Sequence, residues 1–100
     1  MAHCAYASFL QAGAAESAQL KALTGALPKT QADLLRRAQS AWRRYQKAAC
    51  DFESSASAGG SVQSTVQWSC MARLTRERTE RLERLGSCTE GDVACVRLKR

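Results

Sequence analysis

Cys50 and Cys70 stand on either side of Ser54-Ser55-Ala56-Ser57-Ala58-Gly59-Gly60, and this arrangement constrains the fold more than any other feature of the chain. Small residues and paired glycines end a helix and bend at little cost. A chain that turns there lays the last turns of one helix beside the early turns of the next, in antiparallel order, so that Cys50 faces Cys70. Bridging them closes a loop of about twenty residues, worth roughly 3 kcal/mol by the chain-entropy argument, which is a large share of a small domain's stability. The alternative reading of the two residues is a pair of separate buried thiols.

The flanking segments read as helices. Region 2–26 is alanine-rich, with Tyr6, Phe9, Leu10, Leu20 and Leu23 at spacings that can share one helical stripe. Leu27-Pro28 ends it, because proline disfavours helical geometry in the residue before it and suits the first turn of the next helix. The second helix is predicted over 28–53. Leu34, Leu35, Ala38, Ala41, Trp42, Tyr45, Ala49 and Phe52 step by one, three or four residues, which assigns them to one face, while Arg36, Arg37, Arg43, Arg44 and Lys47 take the other. The third helix is predicted over 61–85, capped by Ser61 and striped by Val62, Val66, Cys70, Leu74, Leu82 and Leu85. Arg73-Glu77-Arg81 and Glu80-Arg84 are expected to pair along its outer face. Gly86 closes it, and 86–100 forms a short tail.

The expected fold is therefore all-α: a single domain, 1–100, built as a three-helix antiparallel assembly with a stapled hairpin and a short tail. Five cysteines and one histidine in 100 residues suit a disulfide framework from an oxidising compartment better than a metal site. Cys88 and Cys95 are the next natural pair, since Gly91 between them lets a short loop close. Cys4 is then left free, paired outside this sequence, or paired with Cys88 or Cys95, and spacing alone does not choose among these.

Fifteen basic residues against nine acids give a formal charge of +6. Most of the basic residues are interleaved with acids or spaced along helices, and no run of five like charges occurs, which argues against nucleic-acid binding. No apolar stretch approaches the roughly 20 residues of a membrane span. Region 3–15 lacks a basic leading segment and is broken by polar residues, so it does not read as an export signal, and a leader is expected to have been removed or to be missing.

No catalytic constellation is legible. His3 beside Cys4 has no second ligand pair at zinc-binding spacing, and no serine or cysteine has a recognisable base partner, so neither a metal, a cofactor nor an enzymatic activity is expected. Glu90 and Asp92 read as a solvated loop. Trp42, Tyr45, Phe52, Trp68 and Leu74 read as structural core, because large apolar side chains at helical spacing usually are.

The series Leu34-Leu35-Arg36-Arg37-Ala38-Gln39-Ser40-Ala41-Trp42-Arg43-Arg44-Tyr45, then Ala49-Cys50-Asp51-Phe52-Glu53, Gly59-Gly60-Ser61 and Cys70-Met71-Ala72-Arg73-Leu74-Thr75-Arg76-Glu77-Arg78, resembles the LprI-like lysozyme inhibitor N-terminal domain family of bacterial envelope proteins. His3-Cys4-Ala5 is similar to an element near the start of that domain, where a second cysteine usually lies upstream. Cys88 to Cys95 is similar to the tail of some members.

The resemblance implies a helical, disulfide-bonded protein of the periplasm or the secreted fraction that blocks a lysozyme-like peptidoglycan hydrolase. One variant of that role is an immunity protein guarding its producer against a cell-wall-degrading toxin. An inhibitor would occlude a cleft with a rigid projection, since rigidity lowers the entropy cost of binding. Two segments qualify: the loop holding Ser57, Gly59 and Gly60, and the loop holding Glu90 and Asp92. Net charge opposes the idea, because many lysozymes are basic and would repel a cationic partner unless the contact itself is neutral or acidic. The rival reading is a basic helical module for nucleic acid or an anionic envelope surface.

Overall fold

The computed structural model describes residues 2–87. Three helices, α1 (Ala2–Ala26), α2 (Lys29–Ser54) and α3 (Gln63–Gly86), run up, down and up, and a single 3₁₀ turn (Ser55–Ser57) follows α2. The all-α expectation holds, with no strand among the described residues. Cys88, Cys95, Glu90 and Asp92, and with them the expected disulfide-closed tail, lie outside the described residues.

Alanine-rich α1 packs along α3 in parallel order: Tyr6 stacks edge-on to Trp68 at 4.7 Å near one end, and Leu23 meets Gly86 at the other. A Cβ at Gly86 would lie 3.3 Å from Leu23 Cδ1, so glycine lets α3 finish close against α1. Between α1 and α2, Pro28 adopts extended geometry (φ −58°, ψ 155°) just outside α2, and its carbonyl accepts from Ala32 N at 2.9 Å. Proline has no N–H to leave unsatisfied at this position.

The molecule measures 51 × 21 × 20 Å. Three zones follow one another along it. Leu23, Leu27, Ala32 and Leu82 form a buried apolar cluster at one end, with Leu20 and Leu35 packed against it. Glu16, Gln39, Gln46, Thr75 and Thr79 are buried in the middle. The other end carries the Cys50–Cys70 disulfide, with a Cα–Cα distance of 5.6 Å, and the ring cluster of Tyr6, Phe9 and Trp68.

Two sequence expectations are corrected. Tyr45 and Phe52 are not core: they are 61% and 79% exposed. Hydropathy placed α2's inward face along Leu34, Leu35, Ala38, Ala41, Trp42, Tyr45, Ala49 and Phe52; Leu35, Trp42 and Ala49 are half-buried and the other five exposed, while the buried residues are Ala32, Gln39, Gln46, Cys50 and Ser54. The disulfide sets the rotation of α2, and hydrogen bonds from Gln46 hold it. Trp42, Trp68 and Leu74 are half-buried, at the margins of the packing. Secondly, Ser61 does not cap α3. Gly59 takes a left-handed φ of +79°, and Gly60 N and Gln63 N donate to Ser57 O and Gly60 O, so the turn consumes residues 61–62 and the helix starts at Gln63.

Candidate functional site

The disulfide end projects as a hairpin tip, and its construction can be followed outward from the bridge. Glu53, on the last turn of α2, reaches across to α3, where Arg73 Nη2 donates to both carboxylate oxygens at 3.0 and 2.8 Å. Glu53 Oε2 also lies 3.2 Å from Cys70 Sγ, so this ion pair covers the bridge. Arg73 was expected to pair with Glu77 on its own helix; the cross-helix carboxylate takes it instead and raises its pKa above the ordinary arginine range.

Two residues earlier, Asp51 gathers a second cross-helix set. Lys47 Nζ donates to its Oδ2 at 2.8 Å and Gln67 Nε2 to its Oδ1 at 2.9 Å, while Ser54 Oγ donates to Gln67 Oε1 at 2.8 Å. The Lys47 ammonium holds the Asp51 carboxyl below the usual aspartate value. Asp51, Ser54, Gln63, Ser64, Gln67 and Trp68 line an open groove of about 380 Å³.

Beyond these residues the chain turns through hydrogen bonds of its own. Ser55 Oγ donates to Phe52 O at 2.6 Å, Ala58 N to Ser55 O at 3.1 Å, Gly60 N to Ser57 O at 2.9 Å, and Gly59 N to Gln63 Oε1 at 3.3 Å. The tip is thus closed by one covalent bond and a set of hydrogen bonds of its own, which leaves its backbone little conformational freedom.

Charge is distributed to match. Between Lys47 and Arg73 the chain has two acids, Asp51 and Glu53, and no lysine or arginine. Each acid is met by the first basic residue beyond the tip, so the tip is close to neutral, with two partly exposed carboxylates. The excess positive charge lies elsewhere: at ~1.5 Å of rise per residue, Arg43 and Arg44 stand about 15 Å back from Ser54, beyond a Debye length of about 8 Å.

The middle zone holds a second polar set. Glu16 is 3% exposed, with Oε1 3.5 Å from Arg43 Nη2. Arg78 Nε donates to Gln39 Oε1 at 3.0 Å, and its guanidinium lies 5.8 Å from the Trp42 ring centroid. The Gln39 amide lies near enough to favour the ionised Glu16, yet its Nε2 and Glu16 Oε2 lack partners of proper hydrogen-bond geometry. Burial dominates and raises the Glu16 pKa, against the pull of Arg43, Gln39 and Arg78. This set specifies how the helices meet and opens only partly to solvent.

Of the partner-binding residues expected from the sequence, Ser57, Gly59 and Gly60 come together at the tip. Asp51 and Gln67, which line the groove, and Glu53, which pairs with Arg73 over the bridge, were missed. The gap in basic residues from Lys47 to Arg73 was the signal that could have found them. Glu16 was missed too, although it falls seven residues from both Phe9 and Leu23, on the inward stripe of α1. Cys4 is exposed on α1 and bridges no described cysteine. Among the described residues no group of three or more His, Cys, Asp or Glu side chains is placed to hold a metal, and no helix is long and apolar enough to cross a membrane.

No curated protein and no solved structure matches the chain. A family model described as lysozyme inhibitor LprI matches residues 1–82, a span that takes in all of α1 and α2, the disulfide and most of α3. With that match added to the stapled three-helix architecture, the chain belongs to the LprI lysozyme inhibitor family.

Proposed function

We propose that this chain works in the periplasm or outside the cell as an inhibitor of a lysozyme-like peptidoglycan hydrolase, and that it seats the tip from Ser54 to Ser61 in the target's cleft. The observation that carries the reading is the tip itself: a projection braced by the Cys50–Cys70 bridge and two cross-helix networks, nearly neutral on an otherwise basic molecule. Repulsion by a basic lysozyme, the objection raised by net charge, is weak at such an edge. Asp51 and Glu53 remain available for charge-assisted hydrogen bonds along its sides. An immunity role, shielding the producer from a cell-wall-degrading toxin, rests on the same contact.

The test is lysis of a peptidoglycan suspension by lysozymes of differing net charge and by hydrolases captured from envelope extract, with the disulfide-intact protein added. Lysis by at least one of them should slow at stoichiometric protein. No slowing at large excess, together with DNA or anionic-vesicle binding that falls steeply with salt, would favour the basic-module reading instead.

A further inference from the structure

The face of α2 opposite its buried residues carries Leu34, Ala38, Ala41, Tyr45, Ala48 and Phe52, all exposed. Their spacing alternates four and three residues, the repeat of a helix that meets another helix along a straight seam, and the stripe runs about 27 Å at ~1.5 Å per residue. Five of the six, all but Ala48, belong to the stripe that hydropathy assigns to the core, and α1 and α3 pack on the other side of the helix. A contiguous apolar strip of this kind on a small basic protein calls for an occupant.

We propose that the occupant is a second copy of the chain, docked α2 against α2 in antiparallel order about a two-fold axis. The stripe is complementary to its own reverse. In one register Phe52 of one protomer faces Leu34 of its partner, Tyr45 faces Ala41, and Ala38 faces Ala48, so the bulky Tyr45 falls opposite a small residue and the alanine layers lie between bulkier ones. The same register brings Arg37, which flanks the stripe, beside Asp51 of the partner, and the two-fold axis makes this pair twice. Asp51 already accepts from Lys47 and Gln67, and a carboxylate has capacity for more than two donors. A parallel seam would stack Tyr45 on Tyr45 and Phe52 on Phe52 and would give Arg37 no acid.

One contact in the antiparallel register is unfavourable: the two Arg44 side chains meet beside the axis. That contact makes the register testable, because removing the charge should strengthen the dimer. The arrangement also points the two hairpin tips in opposite directions.

Sedimentation velocity of the disulfide-intact full chain, from micromolar to millimolar concentration, tests the proposal independently of any hydrolase. The wild type should show a reversible monomer–dimer equilibrium. Tyr45→Glu and Phe52→Glu should abolish it with the far-ultraviolet circular dichroism unchanged. Arg44→Gln should tighten it severalfold. Arg37→Asp should weaken it, and Arg37→Asp with Asp51→Arg should restore it. A wild-type chain that stays monomeric throughout, a dimer that survives Tyr45→Glu and Phe52→Glu, or an Arg44→Gln dimer no tighter than wild type would each overturn the proposal.

Discussion

Gln46 Nε2 donates to Thr75 Oγ1 across 2.7 Å in the buried middle of the molecule, and the same nitrogen reaches Met71 O at 2.9 Å. A polar side chain thus fixes the rotation of α2 where hydropathy alone would have placed Tyr45 inward. Gln46→Ala removes both hydrogen bonds and leaves a void, at an expected cost of about 2–3 kcal/mol in urea unfolding. A cost within about 0.5 kcal/mol, the range of an ordinary surface substitution, would show that this contact does not hold α2 in place.

The exposed stripe predicts the converse. In dilute solution Phe52→Ala should change stability by no more than about 0.5 kcal/mol, whereas Leu82→Ala, at a fully buried position, should cost about 2–5 kcal/mol. Thermal melts of the two variants compare them directly.

That pair of residues also shows how far the sequence could be read. The three helices, the hairpin and its disulfide were legible, because Leu27-Pro28, the serine-glycine turn and the cysteine spacing act locally. The rotation of α2 was not. Beside the disulfide, it is held by hydrogen bonds that Gln39, Gln46 and Ser54 make to side chains on α3, and a hydropathy stripe counts these polar residues as outward. The groove residues were hidden for the same reason: Asp51 and Gln67 are unremarkable until the bridge sets them side by side.

Glu16 makes stability depend on pH with an unusual sign for a carboxylate. Its folded pKa is raised by burial, so the folded state holds the proton more tightly than the unfolded chain, and folding weakens as pH rises from the ordinary glutamate value through the raised one. Asp33 and Asp51 act oppositely: Lys29 and Lys47 lower their values, and the stability they add is lost only as pH falls below the ordinary aspartate range. Urea midpoints should therefore rise as pH is lowered from neutral toward the ordinary glutamate value. Glu16→Gln should flatten that rise, and an unchanged slope would refute the assignment.

Replacing Cys50 and Cys70 together by alanine should cost about 3 kcal/mol by loop-closure entropy. Amide hydrogen exchange across 55–62 should also quicken. If exchange there stayed as slow as in the bridged protein, the disulfide would not be what holds the tip.

The most direct test of the account is the inhibition constant of an Ala58→Arg variant against a hydrolase that the wild type inhibits. Ala58 is exposed at the tip, where an arginine adds both bulk and positive charge without disturbing the core. Inhibition should weaken by tenfold or more, about 1.4 kcal/mol, while Arg84→Ala at the far end of α3 leaves it unchanged. Undiminished inhibition by Ala58→Arg would contradict the claim that the stapled tip enters the cleft.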